Sequence, residues 1–98
     1  MNITPILKAL SNEKRLKILQ WLKHPEKHFT SPLCDVREEG VCVGLIEQKI
    51  GLSQSTVSQY LALLQQASLI TMERKGQWTF CKRNEKTIQA LINALKEL

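Results

Sequence analysis

Val43-Gly44-Leu45-Ile46-Glu47-Gln48-Lys49-Ile50, then Gly51-Leu52-Ser53, then Gln54-Ser55-Thr56-Val57-Ser58-Gln59-Tyr60-Leu61: the reading of this stretch decides the fold. Its first eight residues predict a short helix. Gly51 suits the left-handed position after a helix end, and Ser53 can cap a second helix that continues to about Ala67. Val57, Leu61, Leu64 and Ser68 fall on one face of that second helix, with Tyr60 and Leu63 on its flanks. Two helices joined by three residues make a helix-turn-helix. The outer face of the second helix is almost wholly uncharged and hydrogen-bonding. A rigid helix with Gln, Ser and Thr near its N-terminus fits the DNA major groove, where such groups bond base edges.

Downstream, Leu69 to Arg74 and Trp78 to Lys82 are rich in β-formers and predict two strands, joined by Lys75-Gly76-Gln77 as a tight hairpin. A last helix is expected from about Glu85 to Leu98, with Ile88, Leu91, Ile92, Leu95 and Leu98 on one stripe. Upstream, Thr4 can cap a first helix with Pro5 at its first position. Ile6, Leu7 and Leu10 give that helix an apolar side. Ser11 or Asn12 then caps a second, with Glu13 in its first turn. Leu16, Leu19 and Leu22, beside Ile18 and Trp21, form its buried stripe, and Lys14, Arg15 and Lys17 face outward or flank it. His24-Pro25 stops it. From Lys23 to Val41 no period is sustained, which predicts a surface loop with at most a turn of helix after Ser31-Pro32.

These elements define a mainly α fold with a small β-hairpin, a winged helix-turn-helix in the order α-α-α-α-β-β-α. With 98 residues one domain is expected over 1–98. A domain of this size buries only roughly 60–65% of its unfolded surface. The leucines and isoleucines of the last helix exceed what one side of so small a domain needs. That excess points to a homodimer through the first and last helices, or else to a helix that closes its own core.

Composition narrows the function. Net charge is +5 and the calculated pI about 9.3, which favours a polyanionic partner such as double-stranded DNA. Apolar residues make up 43% of the chain, too many for a disordered tail. No apolar run approaches the roughly 20 residues of a membrane span, and Met1-Asn2-Ile3-Thr4-Pro5 lacks the basic and apolar regions of a secretion signal. Three cysteines, an odd number, do not make a disulfide framework. A cytoplasmic location is therefore expected. There is no Gly-rich phosphate loop, nucleophile elbow or carboxylate pair, so neither an enzyme nor a cofactor is expected.

Binding to DNA needs donors on phosphates for position and side-chain hydrogen bonds on bases for specificity. Gln54, Ser55, Thr56, Ser58 and Gln59 are the candidates for base reading, while Ser53 and the free amides near it suit a phosphate. Tyr60 is expected on the backbone rather than on a base. Since no Lys or Arg lies between Gly51 and Thr71, the phosphate charge is assigned to Arg74 and Lys75 of the hairpin, with Gln77 at its tip and Lys49 as one further contact. The same groups would also suit a merely soluble helix face and a solvated hairpin.

The residues resemble the ArsR (arsenic-repressor) family of bacterial winged-helix regulators over nearly the whole chain. Ala9 to Leu19 is similar to the family's opening segment, Val41-Cys42-Val43-Gly44 to the start of its first DNA-domain helix, and Gly51 to Leu61 to its recognition helix. Leu63 to Ile70 follows as in the family, and Arg74-Lys75-Gly76-Gln77 sits where the wing turn falls. The resemblance implies a homodimeric repressor whose first and last helices form the interface. Metal-sensing members carry Cys-Val-Cys where this chain has Cys42-Val43-Gly44, and the Asp and His zinc ligands of other members are missing between Glu85 and Leu98. Glu47 stands where the motif usually keeps a small residue.

No inducer can be assigned. Cys42 is a possible sensor thiol, switched by oxidation or by a soft metal shared with Cys34 and Cys81; equally, the cysteines fill core space. His24 and His28 are four apart, but Pro25 between them spoils a shared helix face, so no metal site is assigned there. Trp21 and Trp78 fall on apolar stripes and are expected in the core. A winged-helix module for protein–protein contact is the competing class of function.

Overall fold

Ile3, not Thr4, is the cap residue of the first helix, and no side chain caps it in the usual way. In the computed structural model, which describes residues 1–32 and 34–98, α1 spans Thr4–Leu10 with Thr4 already inside it. The Thr4 amide donates to Asn2 Oδ1 at 3.1 Å. α2, Glu13–Trp21, is capped by Asn12, whose Oδ1 accepts from the Lys14 and Arg15 amides at 2.9 and 3.0 Å. Such a cap contributes about 1 kcal/mol. Ser11 closes α1 instead, its hydroxyl donating to the Leu7 carbonyl at 2.7 Å.

α2 buries Ile18 and Leu19, and Leu22 just beyond it is buried too, but Leu16 is 40% exposed. With 100° between successive residues, Leu16 lies roughly 160° around the helix from Ile18, on the side away from the core. The proline that stops α2 starts another helix, α3, Pro25–His28, where a loop was expected. Beyond Ser31-Pro32, among the described residues, Val36 to Glu39 form a single turn in which the Glu39 amide donates to the Asp35 carbonyl at 2.9 Å. Leu33, also within the predicted loop, lies outside the described residues.

Val41–Cys42 forms a two-residue strand, β1, rather than the start of a helix. α4 begins at once and spans Val43–Ile50; α5 spans Gln54–Gln66. Gly51 ends α4 in the left-handed region at φ 70°, its amide donating to the Glu47 carbonyl at 3.1 Å. Glu47, half-buried, does not prevent the two helices from meeting. Ser68 is not on the α5 face. It turns the chain out of the helix at φ 61°, with its amide on the Gln65 carbonyl and the Leu69 amide on the Leu64 carbonyl. That pair of bonds is the Schellman ending, here built on a serine where glycine is usual.

β2, Ile70–Lys75, and β3, Trp78–Arg83, pair antiparallel with Lys75 opposite Trp78, so Gly76-Gln77 is a two-residue turn. β1 adds to the other edge of β3, giving the order β1-β3-β2 with Val41 opposite Cys81 and Cys42 opposite Phe80. Gly40 admits this strand. It sits at φ +97°, and a Cβ there would stand 2.7 Å from the Cys81 carbonyl oxygen. α6, Glu85–Lys96, is joined to β3 by the Arg83–Glu85 pair, at 2.7 and 3.2 Å.

Strand alternation divides the sheet. Ile70, Met72, Val41 and Cys81 share the inner face and pack in the core with Ile18, Ile46, Val57, Leu61 and Leu64. The α6 stripe is split: Ile88 and Leu91 are buried, while Ile92, Leu95 and Leu98 are 42%, 39% and 94% exposed. Leu7 on α1 is exposed as well.

Candidate nucleic-acid interface

Ser53 adopts extended backbone at φ −63° and ψ 154° and turns its hydroxyl back over the first turn of α5. Its Oγ accepts from the Thr56 amide at 3.2 Å and donates to Thr56 Oγ1 at 2.9 Å, with Ser55 Oγ 3.3 Å away. One of the orphan donors of the helix start is thus satisfied internally, and the rest face solvent with the positive end of the helix dipole. Val57, Leu61 and Leu64 anchor the buried side. Ser55, Ser58 and Gln59 lie on the opposite side and are exposed, with exposed Gln54 at the leading edge. Thr56 is half-buried.

Tyr60 is tied into the fold. Its hydroxyl accepts from Asn12 Nδ2 at 3.4 Å, and the Arg15 guanidinium lies 5.3 Å from its ring centroid. Arg15, expected to face outward or flank the α2 stripe, folds back onto the end of α1, where Nε donates to the Ala9 carbonyl at 2.6 Å and Nη2 to the Lys8 carbonyl at 3.2 Å. One arginine thus closes α1 and holds the flank of α5. A basic residue just after a helix end was the available signal.

The hairpin separates its two charges. Arg74 pairs with Thr79 on the inner side of the sheet, the side on which β2 meets α5, and its Nε donates to the Gly76 carbonyl at 3.3 Å. Lys75 pairs with Trp78 on the outer side, where its Nζ lies 5.6 Å from the Phe80 ring centroid. Gln77 is exposed at the tip. Lys49 is drawn elsewhere: its Nζ lies 5.1 Å from the Trp21 ring and 6.0 Å from Phe29, so its charge is held by aromatic faces. Trp78, expected in the core, is 45% exposed because it falls on the outer face.

The cysteines divide likewise. Cys81 is fully buried on the inner face, and burial, then the neighbouring Cys42, push its thiol up to about 12. Cys42 is half-buried on the outer face; Cys34 is half-buried, its Sγ 3.6 Å from Ser31 Oγ. Strand alternation turns Cys42 and Cys81 to opposite faces, so three thiolates do not converge on one metal. Among the described residues no group of three His, Cys, Asp or Glu is placed to hold an ion. His24 and His28 are both exposed, His24 beside Glu26 and His28 against Trp21. No helix among the described residues is long and apolar enough to cross a membrane.

No protein-family model matches the chain. It is 50% identical over 92 residues to the HTH-type transcriptional regulator YbzH of Bacillus subtilis (strain 168), covering 93% of this chain and 92% of YbzH. It is 33% identical over 86 residues to the arsenical resistance operon repressor of the same bacterium, covering 88% of this chain and 70% of the repressor. In structure it is similar to the homodimeric winged helix-turn-helix DNA-binding domain of Mb0332 from Mycobacterium bovis. The TM-score there is 0.68 at 22% sequence identity, covering 97% of this chain and 78% of that one.

Proposed function

The chain belongs to the ArsR family of winged-helix transcriptional regulators, and from that premise we propose that it is a homodimeric repressor acting in the cytoplasm. Two α5 helices would enter successive major grooves about 34–36 Å apart on a roughly palindromic operator. Gln54, Ser55, Thr56, Ser58 and Gln59 read base edges, Ser53 and the α5 amides meet a phosphate, Tyr60 touches the backbone, and Arg74, Lys75 and Gln77 grip the adjoining duplex. The observation that carries this reading is the exposed, wholly neutral amide and hydroxyl face of α5, held outward by Val57, Leu61 and Leu64 beneath it.

Pairing through α1 and α6 is supported by the apolar groups left uncovered there, Leu7, Ile92, Leu95 and Leu98. Covering them is worth about 25 cal/mol per Å² of apolar surface on each copy. The regulatory family has no catalytic task, and the chain is read as a binding protein without enzymatic chemistry.

Selection of binding sites from random DNA tests binding, symmetry and half-site separation together. Enriched sequences with two inverted half-sites one helical turn apart are expected. No enrichment, with no retention of any duplex at low salt, would leave the protein–protein module as the surviving reading.

A further inference from the structure

α1, α2 and α5 pack pairwise, and a polar node at the start of α2 ties all three together. Asn12 serves two of them, capping α2 with Oδ1 and donating from Nδ2 to the Tyr60 hydroxyl on α5. Arg15 serves another two. Its Nε and Nη2 donate to the Ala9 and Lys8 carbonyls in the last turn of α1, where helical donors run out. Its guanidinium carbon lies 5.3 Å from the Tyr60 ring centroid.

α1 is otherwise held by buried Ile6 and Ala9, whose apolar contacts are non-directional and resist separation more than rotation. Nor does α1 close against the later turns of α5. An open groove of about 390 Å³ lies between Pro5 and Lys8 on one side and Leu63 and Gln66 on the other, with Arg15 in its wall. Hydrogen bonds weaken steeply when their angle changes, so the two from Arg15 fix an orientation that the apolar contacts leave loose. Arg15 is thus a strut, with two bonds at α1 and a cation–π contact at α5.

The strut joins elements with different tasks. α1 carries Leu7, one of the exposed apolar groups assigned to pairing, and Tyr60 directly follows Gln59 of the reading face. We propose that Arg15 is a positioning residue that sets how far apart the two reading helices stand, by fixing α5 against α1, a role that rests on the paired DNA-binding reading given above. The lever is long enough to matter. Gln54 lies about 9 Å along α5 from Tyr60 at 1.5 Å per residue, so a swing of about 10° at Tyr60 moves it about 1.5 Å. Two copies swinging oppositely change the separation by about 3 Å, close to the roughly 3.4 Å of one base step. Arg15 therefore governs tolerance to half-site spacing and leaves base preference within a half-site alone.

Gel shifts on a selected DNA site, with its half-sites moved one base pair closer or farther apart, read this directly. The parent chain should prefer the selected spacing by about ten-fold or more, the worth of one displaced base contact. Arg15→Gln should reduce that preference to about three-fold or less and keep the penalty for a single-base change within one half-site. Tyr60→Leu should reduce it to the same extent and the double variant no further, because both remove one contact. A parent indifferent to spacing, or variants that weaken every spacing by one factor, would overturn the role. So would a salt slope lower by about one unit in Arg15→Gln, which would make Arg15 a phosphate contact.

Spin labels on Thr4→Cys and Ser58→Cys read the same geometry without DNA, in a chain with Cys34 and Cys42 changed to serine and diluted in unlabelled protein. Their distance distribution should broaden in Arg15→Gln, by about 2 Å for a swing of this size. An unchanged distribution overturns the strut. If the parent chain retains no DNA, it is the DNA-binding reading that fails, and the label distances still judge the strut.

Discussion

Along the first two turns of α5 the exposed groups are neutral amides and hydroxyls, whereas at the β2–β3 tip they are a guanidinium, an ammonium and one amide. The helix region sits on three buried aliphatic residues and has its hydroxyls tied to one another; the hairpin tip has Gly76 in the left-handed region, a bond from Arg74 to the turn and Lys75 over the Phe80 ring. Groups that must match one base edge gain from being held still. Groups that meet a phosphate need only be near, because charge falls off slowly with distance while hydrogen bonds do not. Discrimination and adhesion are therefore assigned to separate elements, which can be altered one at a time.

The largest test removes the frame that lets both elements act twice. Ile92→Asp combined with Leu95→Asp should halve the mass in analytical ultracentrifugation and weaken operator binding by about 100-fold or more, since the second half-site no longer binds as part of the same unit. An unchanged mass would show that pairing uses another surface. Gln59→Ala sharpens the helix side. It should lose about 1–3 kcal/mol of discrimination between the selected site and a single-base variant, with little change on random duplex.

Arg74→Ala probes the hairpin side. Binding to every sequence should weaken, and the slope of log affinity against log salt should fall by about one unit. Were affinity and slope both to match the parent protein, the wing would have no part in holding DNA. Lys75→Ala should give the smallest effect, a fraction of the Arg74 slope change in the same titration, because its ammonium already lies over Phe80 on the far side of the sheet.

Why these elements were legible to different degrees follows from the range of the forces that make them. Gly51, Ser53 and the spacing of Val57, Leu61 and Leu64 act within a few residues, and both helices of the pair appear at their predicted limits. β1 is two residues whose partners, Phe80 and Cys81, lie far along the chain, and no local pattern announces such a pairing. The face taken by Trp78 depends on the register of the whole sheet, so a tryptophan on an apolar stripe was read as core. Leu16 was misplaced for a similar reason: the helix was foreseen, but the rotation that buries Ile18 is set by α4 and α5 packing on it. Within the candidate interface the residue types were evident. That Arg74 and Lys75 turn to opposite faces, and that Arg15 holds Tyr60, came only with the packing.

Gly40 gives this architecture a single point of calibration. The short strand that it admits beside the Cys81 carbonyl braces β3 at Phe80 and Cys81, so on the proposed DNA-binding reading the lean of the cationic tip would be set by a residue outside both the helix and the tip. Adding one methyl group there would leave the lettering of the recognition surface intact and spoil its aim.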